Sequence, residues 1–222
     1  MKPITASDLQ SILDSDLAWR RKEISSLVTL MKTAPFGVQG NLIRAAIPLL
    51  YAHWEGFGKN CFVRYMEHVS LKSIKFRKLK LPFLYLDALG IIKEAGTSGP
   101  AAGISALGRV LERNEKSNRT NYGKKLSTKS NLRQSVLSDL LIMCGIEDFP
   151  IAKYENFIDN QLCDPRNDIA HGVGGAPSLD TFLKRRDIAF ELMTDLQASV
   201  VNSASLERFR SKTASHEILP TA

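Results

Sequence analysis

The chain has 222 residues, 44% of them hydrophobic, which suits one folded domain with its own core and argues against disorder. Its net charge of +7 favours contact with polyanions without requiring it, since 30 basic residues stand against 23 acidic ones. The N-terminus has no apolar secretion segment and the most apolar run, 45–52, contains Pro48, so we expect a cytoplasmic protein with no membrane span.

Two long amphipathic helices are predicted in the first third of the chain. Apolar residues recur at helical spacing from Leu9 to Met31, which predicts a first helix from an N-cap at Ser7 to about residue 33. A break at 34–37 separates it from a second helix over about 39–69. Pro48 falls inside this second helix, where we expect a kink or the first full turn.

The middle of the chain, about 71–135, is basic and less regular. Basic and apolar residues alternate over 71–82, which predicts a strand-like or irregular ribbon. This ribbon is either a solvated face or an electrostatic track for RNA, on which Phe76 would stack against a base. Short helices are expected at 84–95 and 102–113, and a basic β-hairpin or loop insertion at 114–130 around Tyr122. The cations of the RNA track would be Lys72, Lys75, Arg77, Lys78, Lys80, Lys124 and Lys125.

The last third is again helical in pattern, and it carries no sign of a bound group. Helices are predicted over 130–145, over 154–163 and from about 178 to about 210, and a flexible tail over 213–222. We expect no metal and no cofactor, because metal ligands do not cluster and no phosphate-binding glycine loop is present. Buried reduced thiols, rather than a disulfide or zinc site, are expected of the three separated cysteines, Cys61, Cys144 and Cys163.

The stretch with most chemistry is Asp164-Pro165-Arg166-Asn167-Asp168-Ile169-Ala170-His171-Gly172. Arg166 is a permanent cation able to hold two phosphate oxygens, and His171 can exchange a proton near neutral pH. Asp164 as N-cap, Pro165 in the first turn and Gly172 as stop predict a short helical segment of its own. On one helix the two side chains lie about 140° apart, so convergence on one phosphate needs a distortion or a second copy. In the competing interpretation, Arg166 pairs with Asp159, Asp164 or Asp168, and His171 only caps a helix.

With this motif the chain resembles the HEPN superfamily of α-helical ribonucleases and nucleotide-binding proteins, whose signature is an Arg, four to six residues and a His. Residues 49–57, which read Leu-Leu-Tyr-Ala-His-Trp-Glu-Gly-Phe, are similar to the second helix of its bacterial MAE branch. Residues 16–23 are similar to the N-terminal part of the same branch. The resemblance covers most of 8–200, although Pro48 departs from it. It implies an all-α, HEPN-like bundle of four to seven helices, here one domain over 1–212 with 71–135 as a variable basic insertion.

The resemblance also implies an activity, namely metal-independent endoribonucleolytic cleavage of RNA by its own 2′-hydroxyl, in a homodimer. His171 would be the general base or acid, and Arg166 would neutralise the phosphorane. Asn167 would donate to the phosphate or hold the histidine loop. Glu55 would orient His171 or pair with Arg166, unless it is a plain surface residue. The dimer contact is expected to use exposed apolar residues such as Phe157, Phe182 or Phe190.

Three functions remain open from the sequence. The first is a ribonuclease acting as a toxin or defence effector, restrained by an antitoxin or another regulatory protein. The second is a catalytically silent HEPN module that binds RNA, a nucleotide or a partner protein. The third is a helical DNA-binding protein, for which only the basic patches argue.

Overall fold

The computed structural model describes residues 1–96 and 99–212, except for the side chains of Phe36 and Lys124. The tail expected at 213–222 lies outside these residues. The all-α prediction is confirmed, and no strand forms in the described part of the chain. The helices are α1 (Ala6–Thr33), α2 (Phe36–Leu71), α3 (Leu81–Ala95), α4 (Pro100–Asn114), α5 (Gln134–Cys144), α6 (Glu155–Phe157), a π-helical segment (Ile158–Cys163), α7 (Asp164–Ala170) and α8 (Leu179–Ser205).

The start of α1 is fixed by a capping box two residues before the predicted cap. Thr5 Oγ1 accepts a hydrogen bond from the Asp8 backbone N–H at 3.1 Å, and the Thr5 N–H donates to Asp8 Oδ2 at 2.8 Å. Ser7 was the wrong residue, because the box forms between Thr5 and Asp8 and Ser7 already lies in the first turn of α1. The face carrying Leu9 and Leu13 is buried, as the periodicity predicted.

Helix α2 is the central element, and it contacts α1, α5, α7 and α8. Its buried face carries large aromatic side chains, among them Trp54 and Phe57, each with no exposed surface. Trp54 Nε1 donates to the Leu132 carbonyl at 3.2 Å, which ties α2 to the start of α5. Pro48 lies inside α2 without ending it, so it does not mark the first turn. A long rigid helix through the core can hold groups from several elements in fixed positions along its length.

The middle of the chain forms helices and turns where a strand or hairpin was considered. Single isolated bridges join Lys75 to Ser117 and Leu79 to Arg210, and 3₁₀ turns occupy Phe76–Lys78 and Tyr122–Lys124. The side chains of Phe76 and Tyr122 are each only 2% exposed. The prediction that the Phe76 ring stacks on an RNA base is therefore wrong, because both rings belong to the core.

The chain enters the motif without a break, which differs from the separate segment predicted. Helix α6, the π segment and α7 follow one another, and the Asp164 N–H donates to the Asp159 carbonyl five residues earlier. Asp164 is thus the first residue of α7 and not an N-cap. Pro165 has no N–H, and its ring crowds the carbonyl of residue 161, so a widened π turn is where it fits.

The three cysteines are buried and unpaired, in agreement with the sequence. Burial raises the pKa of the Cys163 thiol to about 12, which keeps this residue protonated and unreactive. Among the residues described, no helix is long and apolar enough to cross a membrane.

Two buried histidines make stability depend on pH. His53 faces α1, with Nε2 3.1 Å from Glu23 Oε2, and His68 Nδ1 lies 2.8 Å from the Pro3 carbonyl oxygen. Burial lowers the pKa of both groups. The unfolded chain therefore binds more protons than the folded one as pH falls below the ordinary histidine value of 6.5.

We accordingly expect the free energy of unfolding to fall as the pH is lowered from 7.5 to 5, because both histidines bind protons more readily in the unfolded chain. Urea unfolding followed by circular dichroism at half-unit pH steps measures it. Carboxylates whose pKa is lowered, such as Asp195, act in a more acidic range and do not imitate this loss. A stability that is flat from pH 7.5 to 5 would contradict the assignment.

Candidate active site

Arg166 on α7 is held against the middle of α2. Its guanidinium carbon lies 4.5 Å from the centre of the Tyr51 ring. Nη1 donates to Asn167 Oδ1 at 2.7 Å, and Nη2 donates to the Ser130 carbonyl at 3.2 Å. The side chain is half-buried. A cation over a tyrosine ring is stabilised by the ring quadrupole, so the group is fixed in place and keeps N–H donors free for an anion.

The nearby carboxylates are paired with a different arginine. Asp164 Oδ1 accepts from Arg133 Nη2 at 2.6 Å, and Asp159 Oδ2 lies 3.9 Å from Arg133 Nη1. Arg166 and Asp168 make no ion pair within residues 1–96 and 99–212. The competing interpretation, in which Arg166 neutralises one of these three carboxylates, does not describe this structure.

Asn167 connects the two residues of the motif. Its side-chain oxygen accepts from Arg166, while its backbone carbonyl accepts from the His171 N–H at 3.0 Å. The backbone bond is the ordinary last-turn bond of the helix, which any residue at position 167 would form, so both roles considered for the Asn167 side chain stay predictions.

The chain turns sharply after His171, which occupies the C-cap position of α7. The Gly172 N–H donates to the Ile169 carbonyl at 3.0 Å, and the Val173 N–H donates to the Asp168 carbonyl at 2.7 Å. These two bonds form a Schellman motif, which requires a left-handed residue directly after the cap. Gly172 has φ +77°, so a glycine is needed at this position.

A tether from α2 holds the loop that follows His171. Arg44 donates to the carbonyl oxygens of Gly174 and, at 3.2 Å, Val173. The His171 side chain is exposed and forms no hydrogen bond in the described part of the chain. The backbone around the imidazole is thus fixed at the helix cap and at the loop, while the ring itself is free to meet a substrate.

Within one chain, Arg166 and His171 do not contact each other. No hydrogen bond or ring contact joins the two side chains among the described residues. On an ideal helix, positions 166 and 171 lie about 140° apart, so the absence of a contact agrees with the helical spacing.

Glu55 lies one turn after Tyr51 on the same face of α2 and is half-buried. It makes no hydrogen bond or ion pair in the part of the chain described, so the contact expected with His171 or Arg166 is not formed. Burial raises the pKa of Tyr51 above its usual range, and the Glu55 carboxylate adds to this rise while Arg166 opposes it. Glu55 and Arg166 thus both lie near the Tyr51 phenol and shift its pKa in opposite directions.

Comparison with protein families matches residues 15–202 to the RiboL-PSP-HEPN family. The chain belongs to the RiboL-PSP-HEPN family. This confirms the HEPN superfamily, whereas the MAE branch is not confirmed. Comparisons with curated proteins and with solved structures gave no match. HEPN domains are often ribonucleases, so membership indicates a function related to RNA or nucleotides.

In this HEPN protein, most of the predicted RNA track is occupied by internal contacts. Lys75 Nζ and Arg77 Nε lie 3.3 and 3.4 Å from Glu115 Oε2. Lys80 Nζ lies 2.7 Å from Glu147 Oε1 and is mostly buried. Partners distant in sequence therefore neutralise cations that the local pattern presents as free.

The remaining track residues differ in their surroundings. Lys125 Nζ donates to the Leu86 carbonyl at 2.8 Å and so fastens the 114–130 loop to α3. Lys72 and Lys78 are exposed and make no ion pair in the described ranges. The side chain of Lys124 lies outside the described part.

The track also begins where α2 ends, at Leu71, far from the motif. Twenty residues separate Leu71 from Tyr51, which is about 30 Å along a helix. RNA binding by these lysines stays a prediction, and it would concern a region remote from Arg166.

The phenylalanines expected at a dimer contact are mostly internal. Phe157 and Phe182 are 5% and 0% exposed, so both pack in the core and that part of the prediction is wrong. Phe190 is partly buried under the Arg21 guanidinium, 5.6 Å from its ring centre. Next to the motif, Val173 is 59% exposed.

Sequence reasoning missed three residues that build the site, namely Tyr51, Ser130 and Arg44. Tyr51 precedes Glu55 by four residues, so helical spacing alone places both on one face of α2. Ser130 contributes only a backbone carbonyl, which no residue pattern reveals. Arg44 lies on α2 before residues 49–57, and no pattern in the sequence there assigns it a contact with the loop after His171.

Proposed function

We propose that this HEPN protein is a metal-independent endoribonuclease with Arg166 and His171 as its catalytic residues. The observation that carries the proposal is a half-buried arginine with no carboxylate partner in the described part, fixed on the Tyr51 ring beside an exposed, unbonded histidine. A purely structural arginine would be expected to neutralise a carboxylate, whereas the contacts of Arg166 are with neutral groups. His171 does occupy the C-cap of α7, but its ring makes no hydrogen bond in the described part. The family to which the chain belongs supports the same conclusion.

The reaction uses the nucleophile that RNA carries. Neutral His171 takes the proton of the 2′-hydroxyl, whose oxygen attacks the adjacent phosphorus while the bond from phosphorus to the 5′-oxygen breaks. Arg166 binds two equatorial oxygens of the phosphorane, where negative charge has increased. A protonated imidazole gives its proton to the leaving 5′-oxygen. The products are a 2′,3′-cyclic phosphate and a 5′-hydroxyl.

A homodimer supplies the second ionisable group. One imidazole cannot take and give a proton in a single step, and one α7 does not bring Arg166 and His171 together. A two-fold axis near the motif would place two copies of each residue around one cleft, because an isologous contact presents the same surface twice. The exposed Val173 is an apolar residue at the expected contact.

We further propose that the enzyme acts as a toxin or defence effector, which a partner protein restrains. A nuclease active on cellular RNA needs control. The competing function, a silent HEPN module, would bind RNA without cutting it, and the absence of Arg166–His171 contact within one chain is what favours it.

Cleavage should persist in millimolar EDTA, because each chemical step uses a side chain or the RNA itself. Among the residues described, no group of three potential metal ligands is assembled. The assay incubates purified protein with 5′-labelled RNA and a copy carrying one 2′-deoxynucleotide at the cut position. The deoxy substitution should abolish cleavage there by removing the nucleophile. Strict dependence on magnesium or manganese, or cleavage that persists at the 2′-deoxy position, would contradict this mechanism. Binding of RNA without cleavage would favour the silent module.

A further inference from the structure

A cavity of about 300 Å³ adjoins the motif, and His171 is not among the residues that line it. It lies between α2, α7, α8 and the loop tethered by Arg44, and it is lined by Ile47, Pro165, Asp168, Ile169, Arg185 and the backbone of 174–177. This volume is at the lower end of the range for small-molecule sites and suits one nucleotide-sized group.

Arg185 is the unusual member of this lining. Its side chain is half-buried, its Nε is fully buried without a partner, and it forms no ion pair within the described ranges. Its neighbour Arg186 is instead satisfied by Asp187, with Nε and Nη2 at 2.9 and 2.7 Å from Oδ1. A partly desolvated cation with no counter-charge is costly, and a bound anion would remove that cost.

The loop on the opposite wall also offers donors. The backbone N–H groups of Gly174 and Gly175 make no intramolecular hydrogen bond in the part described. Gly175 has open space where a side chain would begin, so a ligand can approach its backbone closely. Asp168, on the α7 wall, is an unpaired acceptor suited to a sugar hydroxyl and unsuited to a second phosphate.

The cavity lies beside Arg166, whose guanidinium is held over the Tyr51 ring. Ile47 and Tyr51 are four residues apart on one face of α2, about 6 Å along the axis. Pro165 and Ile169 belong to the same two turns of α7 as Arg166. A polynucleotide whose phosphate is held over the Tyr51 ring would therefore place a neighbouring nucleotide at the cavity mouth.

We propose that this cavity is a subsite for the nucleotide next to the scissile phosphate, with Arg185 binding its phosphate and Asp168 accepting from its ribose. The proposal rests on RNA being the ligand of the Arg166 site. Arg185 is a binding residue here and takes no part in proton transfer.

The test compares Arg185→Gln with the matched control Arg186→Gln, which removes the same charge from the adjacent position. Both are placed in a His171→Ala background, so that single-stranded RNA is bound without being cut. We expect Arg185→Gln to weaken binding about tenfold and to reduce the salt slope by about 0.7, as for one lost phosphate contact. Arg186→Gln should change affinity less than about twofold. Equal effects of the two variants would overturn the proposal.

Further arms separate the alternatives. In active protein, Arg185→Gln should raise KM about tenfold and leave kcat within about twofold, as for lost ground-state binding. Should Arg185→Gln fail to fold, Arg185→Lys keeps the charge and should retain most of the affinity.

Inorganic phosphate is the probe for a site that binds free anions instead of RNA. Phosphate binding that depends on Arg185, together with RNA binding that does not, would refute the subsite. A wild type that binds RNA through Arg185 but never cuts it would refute the nuclease and leave the subsite standing.

Discussion

Arg166→Ala and His171→Ala should each lower the rate of RNA cleavage by at least about 10³-fold, the largest effect expected of any single substitution in this chain. Arg166 is the fixed cation for the phosphorane, and His171 is the exposed proton carrier. Neither change should unfold the protein. Removing the exposed His171 ring should cost less than about 0.5 kcal/mol, and removing the half-buried Arg166 about 1–2 kcal/mol through its contacts with Tyr51 and Ser130.

Single-turnover cleavage and urea unfolding of the same preparations measure the two quantities. His216→Ala, a histidine outside the motif, is the matched control and should leave both unchanged. Arg133→Ala is the opposite control, because it strips Asp164 and Asp159 of their cation and should reduce stability more than Arg166→Ala. An Arg166→Ala protein that is insoluble or melts with Arg133→Ala would contradict a primarily catalytic role.

Mixing Arg166→Ala subunits with His171→Ala subunits should restore cleavage at least about tenfold above either homodimer, if the cleft takes Arg from one chain and His from the other. Heterodimers formed by co-expression carry one intact composite pair, whereas each homodimer lacks one kind of group entirely. Two affinity tags allow the heterodimer to be isolated.

The control replaces the His171→Ala partner with a subunit carrying both substitutions, which cannot complete a pair and should give no recovery. Sedimentation at the assay concentration reports the oligomeric state. A monomer with full activity, or motifs on opposite faces of the dimer, would show that the composite cleft does not exist.

Helical spacing predicted the bodies of α1, α2 and α8 because their apolar residues repeat over many turns. Leu9 and Leu13 were placed in the core correctly on this basis. Helical spacing does not tell whether the fold covers the apolar side of a short helix. In α4, Ile104, Leu107 and Leu111 are 74%, 60% and 62% exposed, although their spacing is that of a core-facing stripe.

The site shows a similar division. Arg166 and His171 could be selected from the sequence because their chemistry is unusual in an apolar region. Their surroundings could not, because Tyr51 and Ser130 come from elements far away in sequence. The ion pairs of Lys75, Arg77 and Lys80 could not be predicted for the same reason, since Glu115 and Glu147 lie outside residues 71–82.

The π segment Ile158–Cys163 fixes the rotational phase of everything that follows it. Each residue gained or lost in a helix turns the downstream part by about 100° and moves it by about 1.5 Å. Regular α-helical winding over the same number of residues would turn α7 by about 100° and swing Arg166 off the Tyr51 ring, while every letter from Asp164 to Gly172 stayed the same. Relatives that retain the Arg and His at this spacing can therefore differ in activity through the winding of the preceding helix alone, a change that a search for the motif does not detect.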